Sequence, residues 1–203
     1  MWHNNFLKMM KEKIRCGWCS KDDLYKNYHD QEWGRLLHDD QKLFELLCLE
    51  GAQAGLSWYT VLSKRENYRK AFDNFDAVKM AKYKAAKIEK LLLDEGIVRN
   101  RLKVNAFVTN AKAYIAIQKE FGSFDKYIWQ FIGGKQIVND VKSMKDVPAK
   151  TAVSEAMSKA LLKKGFKFVG ATICYAFMQA SGMVDDHIND CWKKPSPSPK
   201  GVY

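Results

Sequence analysis

Four residues at opposite ends of the chain have the types and spacing of a metal site. Cys16 and His29 stand near the start, His187 and Cys191 near the end. The last two are four apart, so on a helix they would project from one face. Two thiolates and two imidazoles complete a closed tetrahedral zinc site, the structural kind with no open position. The competing reading is four unrelated residues, with His29 a hydrogen-bonded core histidine. Cys19 adds a choice, because Cys16-x-x-Cys19 is itself a ligand-pair spacing. It either replaces His29 or is a spare thiol.

A second set is aromatic. Trp18, Tyr25, Tyr28 and Trp33 come early, followed by Glu50-x-x-Gln53-x-x-x-x-Trp58. Aromatic faces can take up a base lifted out of a duplex, since stacking replaces what the base loses on leaving. Electron-rich rings also favour a cationic base over its neutral parent. Aromatics at such spacings serve equally as plain core. Glu50 is the informative member: it ends an apolar run, and a buried carboxylate without a partner is costly.

The third set is Gly165-Phe-Lys-Phe-Val-Gly170 between two helical stretches. A short hairpin with glycine at both ends can turn successive backbone N–H groups outward. The following helix adds its positive end, and together these bind a phosphate without reading sequence. Lys163, Lys164 and Lys167 add charge beside it. An αα-hairpin that only packs two helices is the alternative.

The elements that must carry these residues are helical. Leu43, Phe44, Leu46, Leu47 and Leu49 form an apolar face running into Glu50. From Arg101, the residues Leu102, Ala106, Phe107, Ala111, Tyr114 and Ile117 recur as one face of a long helix. Ser154 to Lys164 and Thr172 to Ser181 are two more helices, stopped by Gly165 and Gly182. Strand alternation is confined to Lys135 to Val141. The fold class expected is all-α. Residues 1–13 read as an extension, 14–193 as the domain, and 194–203 as a flexible tail broken by prolines.

The bulk numbers bound the partners. Lys and Arg number 34 against 23 Asp and Glu, a net charge of +11 in 203 residues. That surplus suits a polyanion, nucleic acid ahead of an anionic membrane surface. No apolar run is long enough to span a membrane, and Met1 to Lys13 lacks a secretory stretch. A cytoplasmic monomer is expected, with its five cysteines reduced.

Several longer segments together resemble the bacterial 3-methyladenine DNA glycosylase I family. They are Arg15-Cys-Gly-Trp18, Tyr28-His-Asp-Gln-Glu-Trp-Gly34, Leu49-Glu-Gly-Ala-Gln-Ala-Gly-Leu-Ser-Trp58, Lys64-Arg-Glu-Asn-Tyr68, Lys164-Gly-Phe-Lys-Phe-Val-Gly170 and Asp186-His-x-x-x-Cys191. In order and spacing the likeness covers about residues 14 to 193. The resemblance implies a helix-hairpin-helix fold and hydrolysis of the N-glycosidic bond to 3-methyladenine in double-stranded DNA, leaving an abasic site. It implies one structural zinc on Cys16, His29, His187 and Cys191. It implies a base pocket of Trp18, Tyr25, Tyr28 and Trp58 with Glu50 as the catalytic residue, and DNA contact at Gly165, Lys167 and Gly170. Related helix-hairpin-helix glycosylases carry an essential Asp after the hairpin, where Asp185 and Asp186 stand. This family lacks that role, so Asp186 is expected to be a supporting residue. The different-class alternative is a non-catalytic, zinc-stabilised DNA-binding or lesion-sensing module.

Overall fold

A computed structural model describes residues 13–195. The expected character of the N-terminal extension and of the C-terminal tail lies outside these residues, apart from Lys13, Lys194 and Pro195. Ten α-helices occur among the described residues. They are α1 (Asp23–Gln31), α2 (Asp40–Gln53), α3 (Trp58–Leu62), α4 (Arg65–Ala71), α5 (Ala77–Met80), α6 (Ala85–Leu92), α7 (Arg101–Phe121), α8 (Phe124–Trp129), α9 (Ala152–Lys163) and α10 (Ala171–Ala180). The helical expectation holds, with one exception. Ile137–Val138 (β1) pairs in parallel with Val184–Asp185 (β2), a two-residue bridge inside the stretch read as strand-like.

The helices start where short polar side chains can accept from exposed amides. Asp22, Asp39, Ser57, Asp76, Asn100, Ser123 and Thr151 each take the backbone N–H three residues on. Each such cap contributes about 1 kcal/mol. That local signal lets segments as short as α3 and α8 form a helix at all.

Helix α2 is central, packed against α3, α7, α8 and α10. Leu43, Phe44, Leu47, Cys48 and Ala52 are fully enclosed. Truncating such a leucine to alanine costs about 2–5 kcal/mol. The long α7 buries Val104, Phe107, Ala111, Tyr114 and Ile117 against the core. Its expected apolar face needs one correction. Leu102 is 72% exposed, while Lys103, one residue on, is buried. The helix starts at Arg101, so its first turn faces the body along Lys103 and Val104.

A second correction concerns His187 and Cys191, which are not on a helix. They follow β2 in a loop and turn. The loop is held by Asn189, whose N–H donates to the Val141 carbonyl and whose side-chain oxygen accepts from the Val141 N–H, at 2.8 and 3.2 Å.

The chain after α1 crosses the end of α10 at close range. Gly34 and Leu37 donate N–H groups to the Gln179 and Ser181 carbonyls, at 3.1 and 3.0 Å. Gly182 makes room for this crossing. With φ at +72°, a Cβ there would lie 2.3 Å from the Arg35 carbonyl carbon. Gly182→Ala is therefore expected to destabilise by on the order of 2–4 kcal/mol. Gly133→Ala, left-handed but with nothing within 4 Å, should cost about 1 kcal/mol. Urea unfolding of the two variants checks the difference. Equal losses would mean that backbone strain alone, without the clash, governs Gly182.

Candidate active site

Segments from across the chain converge on one cavity of about 310 Å³. The 3-10 turn Gly17–Cys19 carries Trp18. Helix α1, capped by Asp22, presents Tyr25 and Tyr28 three residues apart on one face. The last turn of α2 supplies Glu50 and Gln53, and the first residue of α3 supplies Trp58. Gln179 of α10 completes the polar lining. The aromatic rings are in mutual contact. Trp18 meets Tyr25 at 5.0 Å and Trp33 at 5.1 Å, both edge to face, and Tyr28 tilts against Trp58 at 5.4 Å. Every pocket residue expected from the sequence is therefore brought together here. Met144 and Val147 also line the cavity, from a capped turn between β1 and α9. That turn carried no pattern linking it to the aromatics.

Glu50 is 2% exposed, and one of its carboxylate oxygens, Oε2, has no hydrogen-bond partner. The indole N–H of Trp58 is likewise buried without an acceptor. Burial alone pushes the Glu50 carboxyl up to about 8, because an isolated charge is poorly solvated there. The same burial, with Glu50 nearby, raises the Tyr28 hydroxyl well above its ordinary value. The cavity thus holds an acceptor with nothing to accept and a donor with nothing to receive it.

Beside this cavity lies the Cys/His cluster. The donor atoms of Cys16, His29 and Cys191 all lie within 4.8 Å of one another. His29 Nε2 is 3.5 Å from Cys191 Sγ, and its Nδ1 is 2.8 Å from Asp30. His187 stands against the trio, its ring 5.0 Å from that of His29. Its Nδ1 is 3.0 Å from Asp185, while its Nε2 is buried with no partner. A carboxylate on one imidazole nitrogen and a free second nitrogen is the arrangement of a metal-ligating histidine. Two thiols and two imidazoles are the donor types of a structural metal site, three of them grouped within 4.8 Å and the fourth, His187, beside them with its Nε2 unpartnered. The neighbouring Cys16 thiol and the His29 ring favour the thiolate at Cys191, holding that thiol below its ordinary value. Cys19 stays apart, its thiol donating to the Cys16 carbonyl at 3.1 Å.

Asp186 does not contact His187 through its side chain. It accepts from Asn139, Tyr175 and Gln179, each at 2.7 Å. With three donors it is a tie between the C-terminal loop, α10 and the β1 segment, in keeping with a supporting role.

Helices α9 and α10 pack together through the 164–170 turn, whose Phe166 and Val169 are buried. The expectation of successive outward N–H groups is corrected at one position, Lys167. The Lys167 N–H donates to the Asn110 side chain at 2.7 Å, and its carbonyl accepts from the same side chain at 3.1 Å. Lys164 is paired with Glu120. What the turn presents outward is the exposed Lys167 and the start of α10, where Gly170 places no side chain over the helix end.

A flat ring bearing positive charge is what such a cavity suits: faces to stack on and one carboxyl held ready at the wall. Fold and site together define a mostly helical protein with an aromatic cavity walled by one buried carboxyl. The chain belongs to the methyladenine glycosylase family, whose model matches residues 18–194. It is 54% identical over 182 residues to the DNA-3-methyladenine glycosylase of Haemophilus influenzae, covering 90% of this chain and 98% of that one. It is 49% identical over 185 residues to DNA-3-methyladenine glycosylase 1 of Escherichia coli, covering 91% and 99%. Among solved structures, 3-methyladenine DNA glycosylase I superposes with a TM-score of 0.88 at 49% identity, covering 90% of this chain and all of that one. A tyrosine-to-phenylalanine variant of 3-methyladenine DNA glycosylase I, in complex with 3-methyladenine, superposes with 0.88 at 38% identity, covering 91% and 99%.

The Glu50 carboxyl has a consequence for stability. In the unfolded chain it ionises near its ordinary 4.5, in the fold near 8. Between those values the folded protein keeps a proton that the unfolded chain has released, so this group makes stability fall as pH rises, levelling above 8. Glu50→Gln removes that dependence. Relative to the parent, the Gln variant is expected to gain on the order of a few kcal/mol between pH 5 and pH 8. Denaturant titrations across that range check it, and a pH-independent difference would contradict the burial of an ionisable group.

Proposed function

We propose that this protein is a DNA glycosylase that hydrolyses the N-glycosidic bond of 3-methyladenine in alkylated DNA. The family supports the activity, and the unpartnered Glu50 carboxyl in an aromatic cavity carries the reading for this chain. Methylation at N3 makes the attached adenine a cation. The damaged nucleotide flips out of the duplex, and its base stacks among Trp18, Tyr25, Tyr28 and Trp58. Glu50 accepts from the adenine edge, and the arriving charge favours its ionisation. Ordinary adenine is neutral and brings no charge to offset that ionisation, so the pocket discriminates by charge as much as by shape. When the bond breaks, its electron pair goes to the base, neutralising it. Water supplies the hydroxyl to the sugar carbon, its proton passes to solvent, and an abasic site remains.

Lys167 and the α10 start, with Gly165 and Gly170 shaping the turn, contact the phosphates in a helix-hairpin-helix manner. Cys16, His29, His187 and Cys191 hold one structural zinc, which joins the two ends of the chain and supplies no chemistry at the base.

Two experiments test this. Purified protein should release 3-methyladenine from methylated duplex DNA, and Glu50→Gln should lower that rate by at least ~10-fold, about 1.4 kcal/mol. Asp186→Asn, compared at matched folded fraction, should lower it less. A non-catalytic DNA binder would release nothing. Metal analysis should find about one zinc per chain. Cys191→Ser should lose the zinc and much of the thermal stability, because ligands from both ends close a long loop. Cys19→Ser should keep both, and equal losses from the two would overturn the ligand set.

A further inference from the structure

The turn between α2 and α3 spans only residues 54–57, yet it joins the helix bearing Glu50 and Gln53 to the helix begun by Trp58. Its backbone leaves the helix at Ala54 (φ −46°, ψ 117°) and passes through Gly55 at φ +76°. Local bonds already close the helix end: Ala54 N–H donates to the Gly51 carbonyl and Leu56 N–H to the Gln53 carbonyl, at 3.3 and 2.6 Å. Among the described residues, the hydrogen bonds reaching this segment from elsewhere in the chain come from one side chain. Lys103, in the first turn of α7, is 7% exposed, and its ammonium donates to the Ala52 carbonyl at 2.7 Å and to the Ala54 carbonyl at 2.6 Å.

A buried ammonium is costly to desolvate, and sealing a helix end that a glycine turn already closes does not require one. Two carbonyls on either side of the helix exit are held by one cation. That fixes the direction in which the chain leaves α2, and so where Trp58 falls relative to Glu50.

We propose that Lys103 is a positioning residue for base excision, its ammonium clamping the turn that sets Glu50 and Gln53 against Trp58. The proposal rests on the assignment of this cavity as the base pocket. Lys103 is absent from the cavity lining and its hydrogen bonds go to the end of α2, while a small void beside Gly51 that it borders is also lined by Phe168 of the hairpin. Its loss should therefore act first on the bound base and leave the exposed phosphate-facing side of the hairpin in place.

The variants are Lys103→Met, which keeps length but loses charge and donors, and Lys103→Arg, which keeps both. Each is compared with the parent at matched folded fraction. Three quantities are read: single-turnover release of 3-methyladenine from methylated duplex, affinity for undamaged duplex, and amide exchange at residues 54–57. Lys103→Met is expected to slow release by about tenfold or more. Undamaged-duplex affinity should stay within about twofold, with faster exchange at Leu56 and partial rescue by arginine. If the Met variant does not fold, Lys103→Gln is read in its place with the same expectations. Release at the parental rate, or a loss that tracks duplex affinity with unchanged exchange, overturns the proposal. A parent that releases no base instead refutes the pocket assignment, a result distinct from an active parent with an equally active Met variant.

Discussion

The second half of α2, from residue 47 to 52, is enclosed on every side and has no wet face on which to keep a charge. Leu43, Phe44, Leu47 and Cys48 are surrounded by α7, α8 and α10, and the enclosure continues to Glu50. Burial consequently favours the proton-bearing form of the carboxyl, and one of its oxygens is unclaimed by the protein. A solvated glutamate at the same place would be charged beforehand, with water already bound to it. The surrounding architecture sustains this local conflict, which a well-packed core otherwise removes.

The Cys/His cluster and the cavity are adjacent because they share α1 and the segments flanking it. Tyr28 faces the cavity while His29, the next residue, faces the cluster. Trp33 touches both, meeting Trp18 at 5.1 Å and the His187 ring at 4.6 Å. Asp30 binds this region to the chain ends, accepting from Arg15, at 2.8 Å to the nearer guanidinium nitrogen, and from the Trp192 indole at 3.3 Å. Disturbance of the cluster therefore reaches the aromatic wall through one or two side chains.

Much of this was legible in the sequence, for particular reasons. Long periodic segments announce themselves, so α2, α7, α9 and α10 were readable. Shorter helices were not, because their stability comes from one capping side chain and tertiary packing, as with Ser57 for α3 and Ser123 for α8. The four Cys and His residues stood out by type, but the 187–191 spacing, which would set two side chains on one face of a helix, falls in a loop and turn. Convergence there comes from the Asn189–Val141 bonds, which no local pattern encodes. Glu50 stood out as a charge ending an apolar run. Lys103 and Asn110 did not, since polar residues on a helix resemble solvent-facing ones until their partners 50 or so residues away are known. Lys167 stood out for its charge beside the hairpin, and only the structure shows Asn110 taking its backbone N–H.

Lys103 and Asn110 lie seven residues apart on α7, two turns along one side of a single helix. One grips the end of α2 and the other brackets the hairpin, while Phe168 of the hairpin rests on Gly51, where a Cβ would come within 3.2 Å of it. About 10 Å of straight helix thus separates the cavity's support from the hairpin's. No loop lies between them to act as a hinge. Between these two points the body offers one continuous helix as a fixed support. On the proposed reading, the bending and unstacking needed to deliver a base fall to the duplex, and strands already softened by damage yield first.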